Sequence, residues 1–208
     1  MYLTRLELDT SKQKTIMALA SPTKFHGAVE LAFADKGGKL WRLDSLAGKT
    51  YLLIVSDERP DLTAAAKQFG ANEDWKTLDY TPFLDKIQNG DRRGFRLKAN
   101  PVITKSAGAG KRGKVLAHVT AAQQEQWLLN RTEENGFRLD PDDFSVVQSD
   151  WEFFRKGTDG GRRVTFRTAV FEGTLTVTDA ALFRQLLQNG LGREKAYGCG
   201  MMTVTRRV

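Results

Sequence analysis

Gly190-Leu191-Gly192-Arg193-Glu194-Lys195-Ala196-Tyr197-Gly198-Cys199-Gly200 is the densest motif in this 208-residue sequence. Helical spacing predicts a helix from about Asp179 to Asn189 ahead of it, and Met201–Thr205 reads as a strand behind it. The order helix, turn, strand argues against a dinucleotide-binding fold. That fold runs strand, turn, helix and needs a third glycine where Lys195 stands. Walker A spacing is absent as well. A helix running through a tight turn into a strand is instead the last step of an open α+β unit.

Working back from that step, Ser145–Arg155 and Arg162–Thr176 read as two long strands, with Lys156-Gly157-Thr158-Asp159-Gly160-Gly161 as the hairpin tip between them. Thr120-Ala121-Ala122-Gln123 is a capping box that opens a helix carrying Trp127 and Leu128, and Gly136 is read as its end. Gly94–Ala99 alternates as a strand that Pro101 ends or confines to an edge. Residues 105–114 hold no apolar side chain longer than alanine and read as a mobile basic loop, followed by a short strand over Val115–Val119. The first half repeats the plan. Leu3, Leu6 and Leu8 mark a strand, Ser21-Pro22 opens a helix with Phe25, Val29 and Ala32 inward, and Lys39–Asp44 and Thr50–Ser56 are strands joined through Ala47-Gly48. Asp61–Phe69 is a short helix and Trp75–Tyr80 a closing strand. The pattern predicts an α+β chain of two tandem ferredoxin-like (RRM-like) βαββαβ domains, 1–88 and 91–208, with a basic β-hairpin in the second.

Composition narrows the function classes. The single cysteine, Cys199, forbids an internal disulfide, and with two histidines it cannot make a zinc finger. No apolar run approaches the ~20 residues of a membrane span, and the charged N-terminus resembles no secretory leader, so a cytoplasmic protein without a membrane partner is expected. The net charge is +7 and lies entirely in the second half. Residues 1–90 carry 12 Lys+Arg and 12 Asp+Glu; residues 91–208 carry 20 and 13. Such one-sided charge suits a polyanion, although a basic surface that only confers solubility fits it equally well.

Two groups of cations stand out. Arg155, Lys156, Arg162 and Arg163 flank the hairpin tip, while Lys105, Lys111, Arg112 and Lys114 populate the basic loop. Exposed tips are often merely solvated; clustering in the charged half favours contact with nucleic-acid backbone. The glycine-rich turn is open to the same reading. Gly190, Gly192, Gly198 and Gly200 would let backbone N–H groups converge on a phosphate beside Arg193 and Lys195. Its rival, a helix C-cap with a tight strand entry, accounts for Gly190. Of the two histidines, His26 follows core residue Phe25 on the first helix and so points about 100° away from it, to the rim. Imidazole ordinarily titrates at about 6.5 and so trades protons near neutrality. His118 reads as a half-buried sheet histidine.

The sequence resembles the CasE-type CRISPR-associated endoribonucleases of type I-E Cascade nearly end to end. The resemblance is carried by Met1-Tyr2-Leu3, Phe95-Arg96-Leu97-Lys98-Ala99-Asn100-Pro101, Trp127-Leu128, Phe171-Glu172-Gly173 and the Gly190–Gly200 turn. It implies paired ferredoxin-like domains and cleavage of a CRISPR repeat RNA at the base of its stem-loop, with no metal or other cofactor. It also implies a free monomer that keeps its product and joins the other Cascade subunits. It makes His26 the catalytic residue and places an RNA-contacting hairpin at Arg155–Arg163. Members often carry Tyr three residues before the histidine; here Thr23, which lacks a phenol, leaves the chemistry to His26 or a nearby Lys or Arg. Two other readings stand beside this one: an inactive structural subunit of the same complex, and an RRM-type binding protein stacking bases on Phe95, Phe153 and Phe166.

Overall fold

The computed structural model describes residues 1–208 except 36–37, 107, 109, 112, 157–160 and 208, and at Lys156 and Arg207 the backbone alone. The first sheet contains β1 (Tyr2–Leu8), β2 (Lys39–Leu46), β3 (Lys49–Ser56) and β4 (Lys76–Asp79) in the order β2-β3-β1-β4. All its pairings are antiparallel, with Leu6 opposite Leu52 and Leu3 opposite Leu78. Three helices pack here: α1 (Gln13–Leu19), α2 (Pro22–Leu31) and α3 (Thr63–Phe69). Their inner residues close a core around Leu6, Phe25, Leu52, Ile54 and Phe69. A short helix, α4 (Thr81–Asp85), leads into the second half.

The second sheet repeats the order. Its strands are β5 (Arg92–Ala99), β8 (Phe137–Arg138), β9 (Phe144–Lys156), β10 (Arg162–Val177) and β11 (Met202–Arg207). They run β11-β5-β10-β8, with β9 also on β10. α5 (Ala121–Leu129) and α6 (Ala180–Asn189) cover one face. Both units are thus ferredoxin-like, as the element order predicted. Thr120 and Gln123 make the expected reciprocal capping box, and Asp179 caps α6 through the N–H groups of Ala181 and Leu182.

Several elements differ from their sequence reading. α1 was not anticipated: its Ile16 and Met17 are exposed while Thr15 and Ala18 are buried, so the apolar spacing pointed to no buried face. The segment read as a basic loop is partly a hairpin, in which β6 (Val102–Lys105) pairs with β7 (Lys114–Ala117) up to Lys105 opposite Lys114. His118 lies just beyond β7, partly buried, its N–H bonded to the Pro101 carbonyl. α5 ends at Leu129, and Gly136, at φ 72°, closes a later 3-10 turn over Glu133–Asn135.

The two halves share an interior. Leu40 and Val55 of the first sheet, and Tyr80, Leu84 and Ile87 around α4, bury in one cluster with Leu97, Phe171 and Met201. Beside this cluster, Arg42 of β2 is 1% exposed. It donates to the Asp44 carboxylate at 2.8 and 2.6 Å, to the carbonyls of Arg96 and Met201 at 2.9 and 2.7 Å, and to Thr203 Oγ1 at 2.7 Å. Arg96 continues the chain to Asp44 and Glu172. Breaking a buried ion pair typically costs about 3–5 kcal/mol, and loss of Arg42 would leave Asp44 with Arg96 alone and take the donor from two buried carbonyls. Arg42→Met should therefore lose stability of that order in urea titration, whereas Arg138→Met, at an exposed pair with Asp140, should change it by less than about 1 kcal/mol.

Candidate nucleic-acid interface and active site

α2 begins at Pro22, where proline needs no hydrogen-bond partner for its missing N–H. Ser21 holds the N-cap position, but its hydroxyl pairs with that of Thr23 at 2.8 Å instead of capping a backbone N–H. Phe25 is fully buried against Trp41 and Phe69, with ring centroids at 6.2 and 5.2 Å. One residue on, His26 reaches the rim with its side chain 37% exposed. Its Nδ1 lies 3.8 Å from Oε1 of Glu30, one turn along, and Glu30 in turn pairs with Lys39 at 3.2 Å. Nε2 is the ring nitrogen left clear of that carboxylate.

The other side of His26 meets the glycine-rich turn. Tyr197 presents its ring edge-on to the imidazole, with centroids 6.1 Å apart. Tyr197 rests on Phe154 of β9 at 4.7 Å and on Phe166 of β10 at 6.0 Å, and buried Cys199 joins the cluster. Burial pushes the Cys199 thiol up to about 12, so it is protonated and unreactive at neutral pH. The helix bearing His26, the turn and the foot of the basic hairpin therefore meet at one tyrosine. Tyr197 was not singled out in the sequence. The available signal was an aromatic residue inside a glycine-rich turn, facing strands whose Phe154 and Phe166 alternate inward.

The glycines of that turn serve the fold directly. Gly190, Gly192, Gly198 and Gly200 all have left-handed φ, from 71° to 88°. A Cβ on Gly190 would sit 2.8 Å from the Leu40 side chain, and one on Gly198 would sit 3.0 Å from the Trp41 ring. Gly198 and Gly200 are buried, while Gly192 is exposed beside Trp127. Arg193 is exposed. Lys195 is turned inward, its Nζ donating to the Asn189 carbonyl at 2.6 Å, and burial lowers its pKa.

Arg155, Arg162 and Arg163 on the hairpin, and Lys105 and Lys111 near the second hairpin, are all exposed. Arg112 and the Lys156 side chain lie outside the described residues, as do 157–160 of the tip. Of the phenylalanines an RRM-type reading requires, Phe95 and Phe166 are only 5% and 7% exposed and cannot stack a base. Among the described residues, no three His, Cys, Asp or Glu side chains converge as a metal-binding group.

A family model described as CRISPR associated protein matches residues 1–206. The chain belongs to that family. It is 29% identical to the CRISPR-associated endoribonuclease Cse3 of Thermus thermophilus, over 98% of this chain and 99% of the relative. It is 32% identical to the CRISPR system Cascade subunit CasE of Escherichia coli, over 74% of this chain and 73% of that one. Among solved structures it is similar to Cse3 bound to a 19-nucleotide RNA, with a TM-score of 0.83 at 28% identity, covering 99% of this chain and 100% of that one. It also resembles the Thermus thermophilus Cse3 bound to an RNA representing a pre-cleavage complex, with a TM-score of 0.80 at 26% identity over 98% of both chains.

The turn makes its own prediction. Gly198→Ala forces a side chain into the left-handed region against Trp41, at a cost of roughly 1–2 kcal/mol for the backbone alone. The melting temperature should fall, and RNA affinity measured well below the melt should stay near wild type. A large loss of affinity in the fully folded variant would instead give the turn a direct role in binding.

Proposed function

We propose that this protein is a metal-independent endoribonuclease that cuts CRISPR precursor RNA at the base of the repeat stem-loop. It keeps the mature RNA and works in the cytoplasm with the other Cascade subunits. The observation that carries this reading is the placement of His26: an exposed imidazole joined through Tyr197 to the foot of a hairpin lined with Arg155, Arg162 and Arg163. Cations at the hairpin and at Lys105, Lys111 and Arg193 would hold the phosphates of a stem whose deep A-form major groove side chains can hardly read. An RNA held there would have its stem base near the exposed imidazole of His26.

The reaction then needs no outside reagent. The 2′-hydroxyl upstream of the scissile bond loses its proton as its oxygen attacks phosphorus, and the bond from phosphorus to the 5′-oxygen breaks as that oxygen gains a proton. The products are a 2′,3′-cyclic phosphate, which water can then open to a 3′-phosphate, and a 5′-hydroxyl. His26 moves a proton in this step, with Glu30 lying beside Nδ1 and Nε2 left toward the substrate. Thr23, whose hydroxyl pairs with that of Ser21, is given no part in this step.

Loss of a general acid or base typically slows a reaction by about 10²–10⁴-fold. His26→Ala should therefore reduce single-turnover cleavage by that factor with little change in RNA affinity, and wild-type cleavage should persist in EDTA. Near-normal cutting by the variant would remove His26 from the mechanism, and loss of wild-type cutting in EDTA would remove the metal-independent route.

A further inference from the structure

The β9–β10 hairpin has two unlike faces. Side chains alternate along each strand, and the register sets Trp151 opposite Arg167, Phe153 opposite Thr165 and Arg155 opposite Arg163. Phe154 and Phe166 point to the other side, where they meet Tyr197. The first face is therefore open, with Trp151 43% and Phe153 53% exposed. Their ring centroids are 6.3 Å apart at an interplanar angle of 31°.

Each ring is paired with a guanidinium. Arg167 lies over Trp151 and Arg163 over Phe153, both at 5.6 Å from the ring centre. Arg167 is held in place by donating to Ser149 Oγ at 3.1 Å. The neighbouring carboxylates are turned to the opposite face, where Glu152 pairs with Lys98 and Asp150 accepts from Gln148. Among the described residues, the open face thus combines two aromatic rings with three arginines and no acid.

We propose that this face is a stacking subsite for unpaired RNA nucleotides flanking the stem. The inference rests on the RNA substrate argued above and adds a second contact with its own chemistry. Large exposed rings on a projecting hairpin are a liability unless a partner covers them. A protein partner would be expected to meet charges of both signs, whereas cations alone around aromatic rings match a phosphate backbone carrying planar bases. Bases inside the stem are already stacked on one another, so the rings are free only to unpaired nucleotides.

The test compares binding of a bare stem-loop with the same stem-loop carrying a few unpaired nucleotides. Both are made as 2′-O-methyl RNA to prevent cutting. In the wild type the extension should tighten binding, and an abasic extension should not. Trp151→Ala with Phe153→Ala should lose the gain, by about 5- to 100-fold, the range that base–aromatic stacking spans. Its affinity for the bare stem-loop should be unchanged. Trp151→Phe with Phe153→Tyr keeps both rings and should keep the gain, which controls for folding. The subsite is overturned if the extension adds nothing in the wild type, if the abasic extension tightens binding equally, or if the alanine variant weakens both RNAs alike. It is overturned as well if that variant binds both RNAs normally but no longer assembles with the other subunits, since the face would then dock protein. Failure of the bare stem-loop to bind at all, with the extended RNA still bound, would count against the stem-loop reading and leave the subsite standing.

Discussion

Arg42 gathers four partners from three strands and a strand entry around one buried guanidinium. Three of those partners, the carbonyls of Arg96 and Met201 and the Thr203 hydroxyl, come from the second half, so beyond its pair with Asp44 the guanidinium is satisfied only when the two halves are docked. Taking a cation out of water is costly, and isolated buried pairs often do no better than apolar replacements. The hydrogen bonds to fixed carbonyls add what a simple ion pair lacks, which is direction. They set β2 against β5 and β11 in one register. Met201, which holds one of those bonds, directly follows the last glycine of the turn.

The site is a consequence of that docking. Trp41, adjacent to Arg42, packs on one side against Phe25 of α2 and on the other against the backbone at Gly198. The same rings that close the first core thus fix the height of the turn above α2. Tyr197 then connects His26 to Phe154 and Phe166. Residues from positions 26, 154, 166 and 197 come together only because both sheets are held as one body. The chemistry assigned to the site asks for little beyond placement. An RNA carries its own nucleophile, so a positioned imidazole and enough positive charge to hold the phosphates suffice.

Much of this could be read in the sequence, and the reasons for the rest are physical. Element order followed from periodicity and caps, because Thr120, Asp179 and Pro22 act on neighbours a few residues away. His26 was legible as a rim residue from its offset to Phe25. Arg42 was not, because its partners lie as many as 161 positions away and an arginine in a strand ordinarily faces water. The glycines show the same limit. Their number suggested close approach of a ligand; Gly190 and Gly198 also lie against Leu40 and Trp41, whose identity as neighbours depends on the interdomain docking. The contrast between the two faces of the hairpin also needed the register. Trp151 and Phe153 alternate with Phe154 only once a third dimension says which face is covered.

In the proposed mechanism the RNA supplies the nucleophile and the site merely positions it. A single 2′-deoxy substitution at the nucleotide just upstream of the mapped cleavage site tests this most directly. It removes one oxygen from the substrate and nothing from the protein. Cleavage at that bond should stop while the RNA binds as tightly as before, and the unmodified RNA should yield a 5′-hydroxyl product. Continued cutting of the deoxy substrate, with a 5′-phosphate on the product, would mean that water is the nucleophile and would contradict the mechanism.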